Sequence, residues 1–207
     1  GVGKTTLIKL LLRLYDLQTG SINIGKNNIN DITLKSLREN IALVSQETFL
    51  FDGTISDNIS YPNLDAKFED IKSVSKLSQC DEFIDRFPLG YDTIIGERGQ
   101  RLSVGQKQRI SIARAIIKDP SILIFDEATS SVDNKTENLI QKSLKEISKN
   151  RTTIAIAHRL STIRNADQIL VLDDGKIIES GTHDELVAFN GNYKNLWDLQ
   201  TGKIERS

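Results

Sequence analysis

Short apolar runs rich in β-branched residues alternate along this chain with segments of helical periodicity, and this alternation restricts the fold more than any other feature. The runs predict core strands at residues 41–45, 122–125, 153–157 and 169–172. Residues 176–179 are expected to pair with the last strand across the turn at 173–175. Alternation of this kind is typical of an α/β domain, so we predict a mainly parallel core sheet flanked by helices.

Helical patterns fill the segments between these strands. Apolar residues at helical spacing predict a helix with a wide buried face over residues 4–15. The stretch from about 54 to 116 is mostly helical in pattern and is interpreted as a subdomain inserted between two core strands. We therefore expect a helical subdomain at about 53–118, and a core made of residues 1–52 and 119–207.

The tail after Thr182 predicts two short helices, at residues 184–188 and 193–200. Trp197 and Leu196 in the second of them are interpreted as packing contacts and not as site residues. His183 matches a helix start and receives no site role.

Composition excludes several classes of function. The 207 residues contain 27 Lys plus Arg and 28 Asp plus Glu, a formal net charge of −1. This balance lacks the basic excess of nucleic-acid-binding proteins, so no nucleic-acid partner is expected. The single cysteine, Cys80, excludes an internal disulfide and a metal site built from several cysteines. Apolar runs fall far below the roughly 20 residues that span a bilayer.

The chain opens on the second half of a phosphate-binding P-loop, Gly1-Val2-Gly3-Lys4-Thr5-Thr6. Glycines let successive backbone N–H groups face the β- and γ-phosphates, and the helix start adds partial positive charge. Lys4 contributes a full charge, and the Thr5 hydroxyl can ligate Mg²⁺. A Gly-Lys-Thr string is also a frequent chance match at a helix start, and the apolar helix that follows favours the phosphate site.

A second candidate site follows the apolar run at 122–125, which ends on Asp126 and Glu127. A buried strand places Asp126 at its C-terminal edge, where open α/β sheets bind ligands. Asp126 could hold Mg²⁺ through its water shell, opposite Thr5, and Glu127 could orient or deprotonate a water that attacks the γ-phosphate. Acidic pairs also end strands as solvated turns or helix caps, but a P-loop earlier in the chain favours the catalytic interpretation.

Residues 102–109, Leu-Ser-Val-Gly-Gln-Lys-Gln-Arg, resemble the signature sequence of ABC ATPases. Ser103 and Gly105 at a helix start would present a hydroxyl and backbone N–H groups to an anion, although a serine-capped helix also occurs without a ligand. The P-loop, Gln46, the signature, the acid pair, Ser-Ser-Val-Asp at 130–133 and His158 occur in the order that this family requires. The resemblance covers essentially the whole chain.

The resemblance implies a P-loop NTPase fold of the ABC ATPase type, with ATP as substrate and Mg²⁺ as cofactor. It implies that Gln46 contacts Mg²⁺ and the attacking water, and that Mg²⁺ is held by Thr5, Gln46 and Asp126. It implies that Glu127 and His158 act in catalysis, His158 as the residue that hydrogen-bonds the γ-phosphate. Considered alone, His158 would be interpreted as a structural histidine.

The resemblance also implies which residues contact the nucleotide besides the P-loop. These are the residues at the start of the signature helix and one loop residue that couples the two sites of a dimer: Ser103, Val104, Gly105, Gln106 and Asp133. Val104 departs from the family, which usually has glycine at this position. We expect its side chain to reduce the tolerance for close approach without abolishing binding.

Two stretches are typical of the exporter branch of the family: residues 46–59, and Gly-Glu-Arg-Gly at 96–99. The second implies contact with the intracellular ends of a membrane domain, although a solvated charged turn is the simpler interpretation without the resemblance. The implied partners are a second ATPase subunit, in a homodimer or a heterodimer, and transmembrane permease domains fused upstream. The ATPase domain would then lie on the cytoplasmic face of a membrane.

Each ATP is expected to lie between the P-loop of one subunit and Ser103 of the other, in a head-to-tail dimer that powers export. Lipid, peptide, drug and glycolipid export all remain open. One alternative is a degenerate nucleotide-binding regulatory module, for which Val104 is the only support. Another is a soluble ABC ATPase acting on DNA or ribosomes, which predicts coiled-coil insertions or basic surfaces that the sequence lacks.

The resemblance further implies that the chain is incomplete at its N-terminus. In the family, the missing segment supplies sheet strands, an aromatic residue that stacks on adenine and the first P-loop glycine. We therefore expect an unpaired sheet edge with an exposed apolar face. The 207-residue piece is expected to be poorly stable alone and to hydrolyse ATP feebly.

Overall fold

The computed structural model describes residues 3–126, 134–157 and 159–203. The α-helices along these residues are α1 (Lys4–Leu11), α2 (Leu34–Asn40), α3 (Ile55–Ser60), α4 (Phe68–Leu77), α5 (Asp81–Ile84), α6 (Val104–Ile116), α7 (Asn134–Ile147), α8 (His183–Phe189) and α9 (Asn192–Thr201). The strands are β1 (Asn23–Ile24), β2 (Asn27–Asn28), β3 (Ile41–Val44), β4 (Ile122–Asp126), β5 (Thr152–Ile156), β6 (Ile169–Asp173) and β7 (Lys176–Gly181). The chain divides into two compact units, Gly20–Ile154 and Gly1–Thr19 with Ala155–Ser207.

The unit Gly20–Ile154 contains a parallel pair of strands. β3 and β4 run in register, with Ile41 opposite Ile122 and Val44 opposite Phe125, and the sheet has the order β3-β4-β5. The four apolar residues of β4 are all buried. A strand buried on both faces is typical of a parallel sheet that helices cover, so the predicted α/β layering is confirmed in this unit.

Helix α6 forms the centre of the core in the same unit. Its Ile110, Ile112 and Ala113 are fully buried among residues of α3, α4, β3 and β4. Burying an isoleucine contributes about 1.5–3 kcal/mol, so packing fixes the position of α6 firmly. The predicted helical stretch at 54–116 is confirmed by α3, α4, α5 and α6, which all fall within it.

The unit made of Gly1–Thr19 and Ala155–Ser207 contains an antiparallel hairpin and the tail helices. β6 pairs with β7, and Asp174 and Gly175 both take positive φ in the turn, as a type I′ hairpin turn requires. The predicted pairing across this turn is therefore confirmed. The predicted tail helices are also confirmed, as α8 and α9.

A small separate core holds the tail helices, formed by Leu160, Ile169, Leu186 and Tyr193. Trp197 packs against this core, as predicted. Nδ1 of His183 lies 2.8 Å from the hydroxyl of Tyr193. Thr182 caps α8 through a capping box, in which its hydroxyl accepts from the backbone N–H of Glu185 and the Glu185 carboxylate accepts from the N–H of Thr182.

Two of the predicted strands form as expected but are not core strands. β5 lies at an edge of the sheet formed by the described residues, and Ile154 is 38% exposed. β6 belongs to the two-stranded hairpin and not to the parallel sheet, and of its residues only Ile169 is buried. The core prediction was wrong because β-branched composition indicates a strand without specifying what packs on it.

The first helix is shorter and less covered than predicted. α1 ends at Leu11, because Arg13 takes a positive φ of 49° and the N–H groups of Arg13 and Leu14 bond back to the carbonyls of Leu10 and Lys9. Ile8 is buried, but Leu7 is 51% exposed, so the predicted wide buried face was wrong. Periodicity identifies the apolar face of a helix, and neighbours decide whether it is covered.

No helix in the described ranges is both long and apolar enough to cross a membrane.

Candidate functional site

The start of α1 has the features of an anion-binding helix terminus. Gly3 precedes the helix with φ 93° and ψ 1°, a left-handed conformation that favours glycine. Within the described part of the chain, no side chain caps this terminus, and the first turn, Lys4-Thr5-Thr6-Leu7, contains no acidic residue. Its N–H groups and partial positive charge are therefore available to a phosphate.

The predicted side chains of this loop lie at the surface of their unit. Thr5 and Thr6 are exposed and Lys4 is half-buried. A hydroxyl and an ammonium group in the first turn of an uncapped helix suit a phosphate with its cation. Gly1 and Val2, the other predicted members of the loop, lie outside the described residues.

Gln46 and Asp126 are placed by two neighbouring parallel strands. Asp126 is the last residue of β4, and Gln46 comes two residues after Val44, the last residue of β3. Val44 is paired with Phe125, so both side chains follow the carboxyl ends of adjacent strands. Adjacent strands lie about 4.8 Å apart, so the structure brings these two predicted residues to one edge of the sheet.

A carboxylate and an amide oxygen at one sheet edge are ligands that suit a hard divalent cation such as Mg²⁺. Across the described ranges, no group of three His, Cys, Asp or Glu side chains is placed to hold a metal ion. The predicted donors at the edge supply only one carboxylate, Asp126. A cation held here would therefore keep much of its water shell, as Mg²⁺ usually does in phosphate sites.

The start of α6 is capped from within the chain. The Ser103 hydroxyl accepts a hydrogen bond from the backbone N–H of Gln106 at 3.2 Å, and Gln106 Oε1 accepts from the N–H of Ser103 at 2.8 Å. This reciprocal pair is a capping box. Ser103 still has a hydroxyl proton to donate to a ligand, and the box uses only Oε1 of Gln106, so its amide N–H groups can also donate.

Gly105, which we predicted as a phosphate contact, also has a packing role. A Cβ built at this buried position would lie 2.4 Å from the Cγ2 methyl of Thr136 on α7. Glycine is therefore required where α6 and α7 approach each other. The neighbouring Val104 is 55% exposed, so its side chain disturbs no packing in a single copy.

Three of the predicted site residues in the second half of the chain lie outside the described residues: Glu127, Asp133 and His158.

The exporter-type stretch from residue 46 onwards forms a turn that leads into α3. Asp57 completes a capping box with Thr54, and hydrogen bonds from Thr54 hold the pKa of this carboxyl below its ordinary value. Phe49 and Tyr61 are both 54% exposed and border a groove of about 380 Å³.

The second exporter-type stretch, residues 96–99, is a tight turn in which Gly96, Arg98 and Gly99 all have positive φ. Glu97 and Arg98 are exposed. Both stretches thus present surface, and their contact with a membrane domain stays a prediction.

Comparison with known protein families matches the part of the chain that contains most of these residues. A profile of the ABC transporter family matches residues 1–130, which include the phosphate loop, Gln46, the signature and Asp126. The chain belongs to the ABC transporter family. The resemblance inferred from the sequence is therefore confirmed.

Similar proteins include exporters. An uncharacterized ABC transporter ATP-binding protein, YknU, of Bacillus subtilis (strain 168) is 53% identical over 97% of this chain and 34% of its own length. An ATP-dependent lipid A-core flippase of Legionella pneumophila (strain Paris) is 50% identical over 97% of this chain and 34% of its own. This ABC transporter chain thus spans about a third of the length of these curated relatives.

A solved structure, described as a bacterial Atm1-family ABC exporter with ATP bound, is 43% identical to this ABC transporter chain. It superposes with a TM-score of 0.91, covering 100% of this chain and 36% of the other. The fold is therefore that of an ABC ATPase, a P-loop NTPase, and the predicted fold class is confirmed.

The sequence interpretation of this ABC transporter missed two polar residues on the buried side of α6. Gln108 and Arg114 bond to the segment that carries Gln46, and burial lowers the pKa of Arg114. A signal was present, because Gln108 shares its helix face with the apolar residues Ile112 and Ala115, at i+4 and i+7. A polar residue on an otherwise apolar helix face therefore indicates a hydrogen bond to a neighbouring segment.

Proposed function

We propose that this chain binds and hydrolyses ATP and thereby powers the export of a substrate across a membrane. The placement of Gln46 and Asp126 at the carboxyl ends of two paired parallel strands is the observation that carries the proposal. An uncapped, glycine-led start of α1 supports the binding of phosphate. Membership of the ABC transporter family supports the interpretation of both features as parts of an ATP site.

The nucleotide is proposed to bind between two copies arranged head to tail. In one copy, the phosphates are held by the P-loop residues Gly1, Val2, Gly3, Lys4, Thr5 and Thr6. The second copy contributes the start of α6 and one loop residue, namely Ser103, Val104, Gly105, Gln106 and Asp133. Charge-assisted hydrogen bonds from both sides to the γ-phosphate favour the closed dimer, and hydrolysis removes that bridge.

Hydrolysis is proposed to proceed by attack of a water on the γ-phosphorus, with cleavage of the bond from this phosphorus to the β,γ-bridging oxygen. That oxygen leaves as part of ADP, and inorganic phosphate is released. Glu127 orients this water and accepts its proton. Gln46 contacts the same water, and His158 donates a hydrogen bond to a γ-phosphate oxygen. Thr5, Gln46 and Asp126 would hold Mg²⁺, and the bound ion would neutralise charge that develops on the β- and γ-phosphates.

The export role is proposed from the relatives. Their names describe a lipid A-core flippase and an ABC exporter, and this chain matches about a third of each. We propose that transmembrane permease domains accompany the chain in the complete protein and hold it on the cytoplasmic face of a membrane. Residues 53–118 are proposed to be the helical subdomain, which carries the signature.

The test is ATP turnover by the complete protein in lipid, with and without Glu127→Gln. Loss of a general base lowers turnover by about 10²–10⁴-fold, and the variant should still bind ATP. Unchanged turnover would show that the role given to Glu127 is wrong. Binding of ATP without turnover by the unaltered protein would favour a regulatory module instead.

A further inference from the structure

Gln108 is a buried polar side chain in the middle of α6. It is 3% exposed, and both ends of its amide are hydrogen-bonded. Oε1 accepts from the Thr48 hydroxyl at 2.6 Å, and Nε2 donates to the backbone carbonyl of Ser45 at 3.4 Å. Ser45 and Thr48 lie on either side of Gln46. One side chain of the signature helix therefore holds both ends of the bend that presents Gln46.

A second side chain of α6 holds the same segment further along. Nη1 of Arg114 donates to the carbonyl of Phe49 at 2.8 Å, and its Nε donates to the carbonyl of Asn58 at 2.8 Å. The Asn58 amide in turn bonds to the backbone N–H and carbonyl of Phe51. The segment after β3 is thus tied to side chains of α6 at the carbonyls of Ser45 and Phe49 and at the hydroxyl of Thr48.

These hydrogen bonds fix the position of the segment around Gln46 more than they stabilise the fold. A buried amide exchanges hydrogen bonds with water for hydrogen bonds with the protein, so its net contribution is small, whereas its geometry is restrictive. An apolar side chain of similar size would also suit this buried position, which shares its helix face with Ile112 and Ala115. The amide at Gln108 instead fixes the distance between α6 and the bend around Gln46.

We propose that Gln108 is a positioning residue for Gln46. Through its hydrogen bonds, the position of the signature helix determines the position of Gln46 at the sheet edge. The inference rests on the proposed function, in which Gln46 contacts the attacking water and Mg²⁺. Gln108 itself touches neither. When the second copy engages Ser103 at the start of α6, the same helix sets Gln46 through Gln108.

The first measurement is steady-state ATP hydrolysis by the complete protein in lipid. Gln108→Leu removes both hydrogen bonds at nearly constant volume, and Thr48→Val removes one hydroxyl at constant shape. Loss of one or two buried hydrogen bonds predicts a fall in kcat of about fivefold to tenfold, with KM for ATP unchanged because the phosphate loop is intact. Thr48→Ser retains the hydroxyl and is the matched control, with kcat near that of the unaltered protein.

The second measurement separates positioning from general structure. Gln46→Ala removes the group through which Gln108 is proposed to act. If the proposal is right, adding Gln108→Leu or Thr48→Val to Gln46→Ala lowers kcat no further. If the fall in kcat is the same with and without Gln46, or if both single variants keep full kcat, the proposal is overturned.

The two proposals fail in different ways. The proposed function fails when the unaltered protein shows no turnover, and the role given to Glu127 fails when Glu127→Gln retains it. The positioning role of Gln108 fails when turnover depends on Glu127 and on Gln46, but the effects of Gln46→Ala and Gln108→Leu multiply. Thr48→Val alone decides the matter if Gln108→Leu does not fold, because Thr48 is only half-buried.

Discussion

Two helix starts of this chain are proposed to contact ATP, α1 of one copy and α6 of the second copy, and they are built differently. α1 begins after a left-handed glycine, and in the described part of the chain no side chain caps it. α6 begins at Ser103, which is engaged in a reciprocal capping box with Gln106. Among the described residues, a Cβ at Gly3 would meet no atom within 4 Å, whereas a Cβ at Gly105 would collide with α7.

The difference indicates that the two helix starts have different roles in binding ATP. The start of α1 leaves its N–H groups for an anion and adds the full charge of Lys4, so binding there needs no bonds to be broken first. At the start of α6 the N–H groups of Ser103 and Gln106 are already bonded and Gly105 is packed against α7, so this helix start is held in place even when no ligand is present. We therefore expect the start of α1 to contribute most of the binding affinity, and the start of α6 to hold its ligand-binding groups at a fixed position.

The largest effect is expected at Lys4. If α1 is the charged terminus, Lys4→Ala should lower ATP turnover of the complete protein by about 10²–10³-fold, the loss typical of removing one group that stabilises transition-state charge. Lys9→Ala is the matched control, because Lys9 lies in the last turn of the same helix and stacks over Tyr15. Equal turnover in the two variants would remove the distinction between the two helix starts.

The next effect concerns the packing behind α6. Gly105→Ala should destabilise α6 by about 1–3 kcal/mol, the usual result of overpacking, although alanine is otherwise the better helix former. Hydrogen exchange of the amides of 104–116 measures this change. Thr136→Ser removes the colliding methyl, so the double variant should recover protection. Continued loss of protection in the double variant would show that the methyl of Thr136 is not the cause.

The smallest effect separates capping from ligand binding. Ser103→Ala and Thr182→Ala each remove the N-cap of a capping box, so each should destabilise its own helix by about 1 kcal/mol. Only Ser103→Ala should also lower ATP turnover, by about tenfold, since the hydroxyl of Ser103 is proposed to donate to a charged phosphate. Comparable turnover in both variants would reduce Ser103 to a structural cap.

Much of this comparison could be derived from the sequence. The Ser-x-x-Gln spacing of residues 103 and 106 is that of a capping box, and Thr182 and Glu185 repeat it. The glycine-lysine pair at the start of α1 and the acid at the end of β4 were both located by pattern. Local chemistry of this kind depends on neighbours within one turn, and sequence order preserves it.

Contacts between distant segments could not be derived in the same way. The collision of Gly105 with Thr136 joins two helices, and the bonds of Gln108 to Ser45 and Thr48 span about sixty positions of sequence. The short α1 depends on the left-handed conformation of Arg13, a residue that rarely adopts it. Such features follow from which elements pack together, and periodicity does not record that.

The attachment of α6 at Arg114 has a mechanical consequence. Ser103 lies eleven residues away along the chain, so a rigid helix places the two ends about 16 Å apart. A tilt of about 10° around the Arg114 end would displace the serine by about 3 Å, roughly the length of one hydrogen bond. Small rotations of α6 are therefore enough to make or break a hydrogen bond at Ser103.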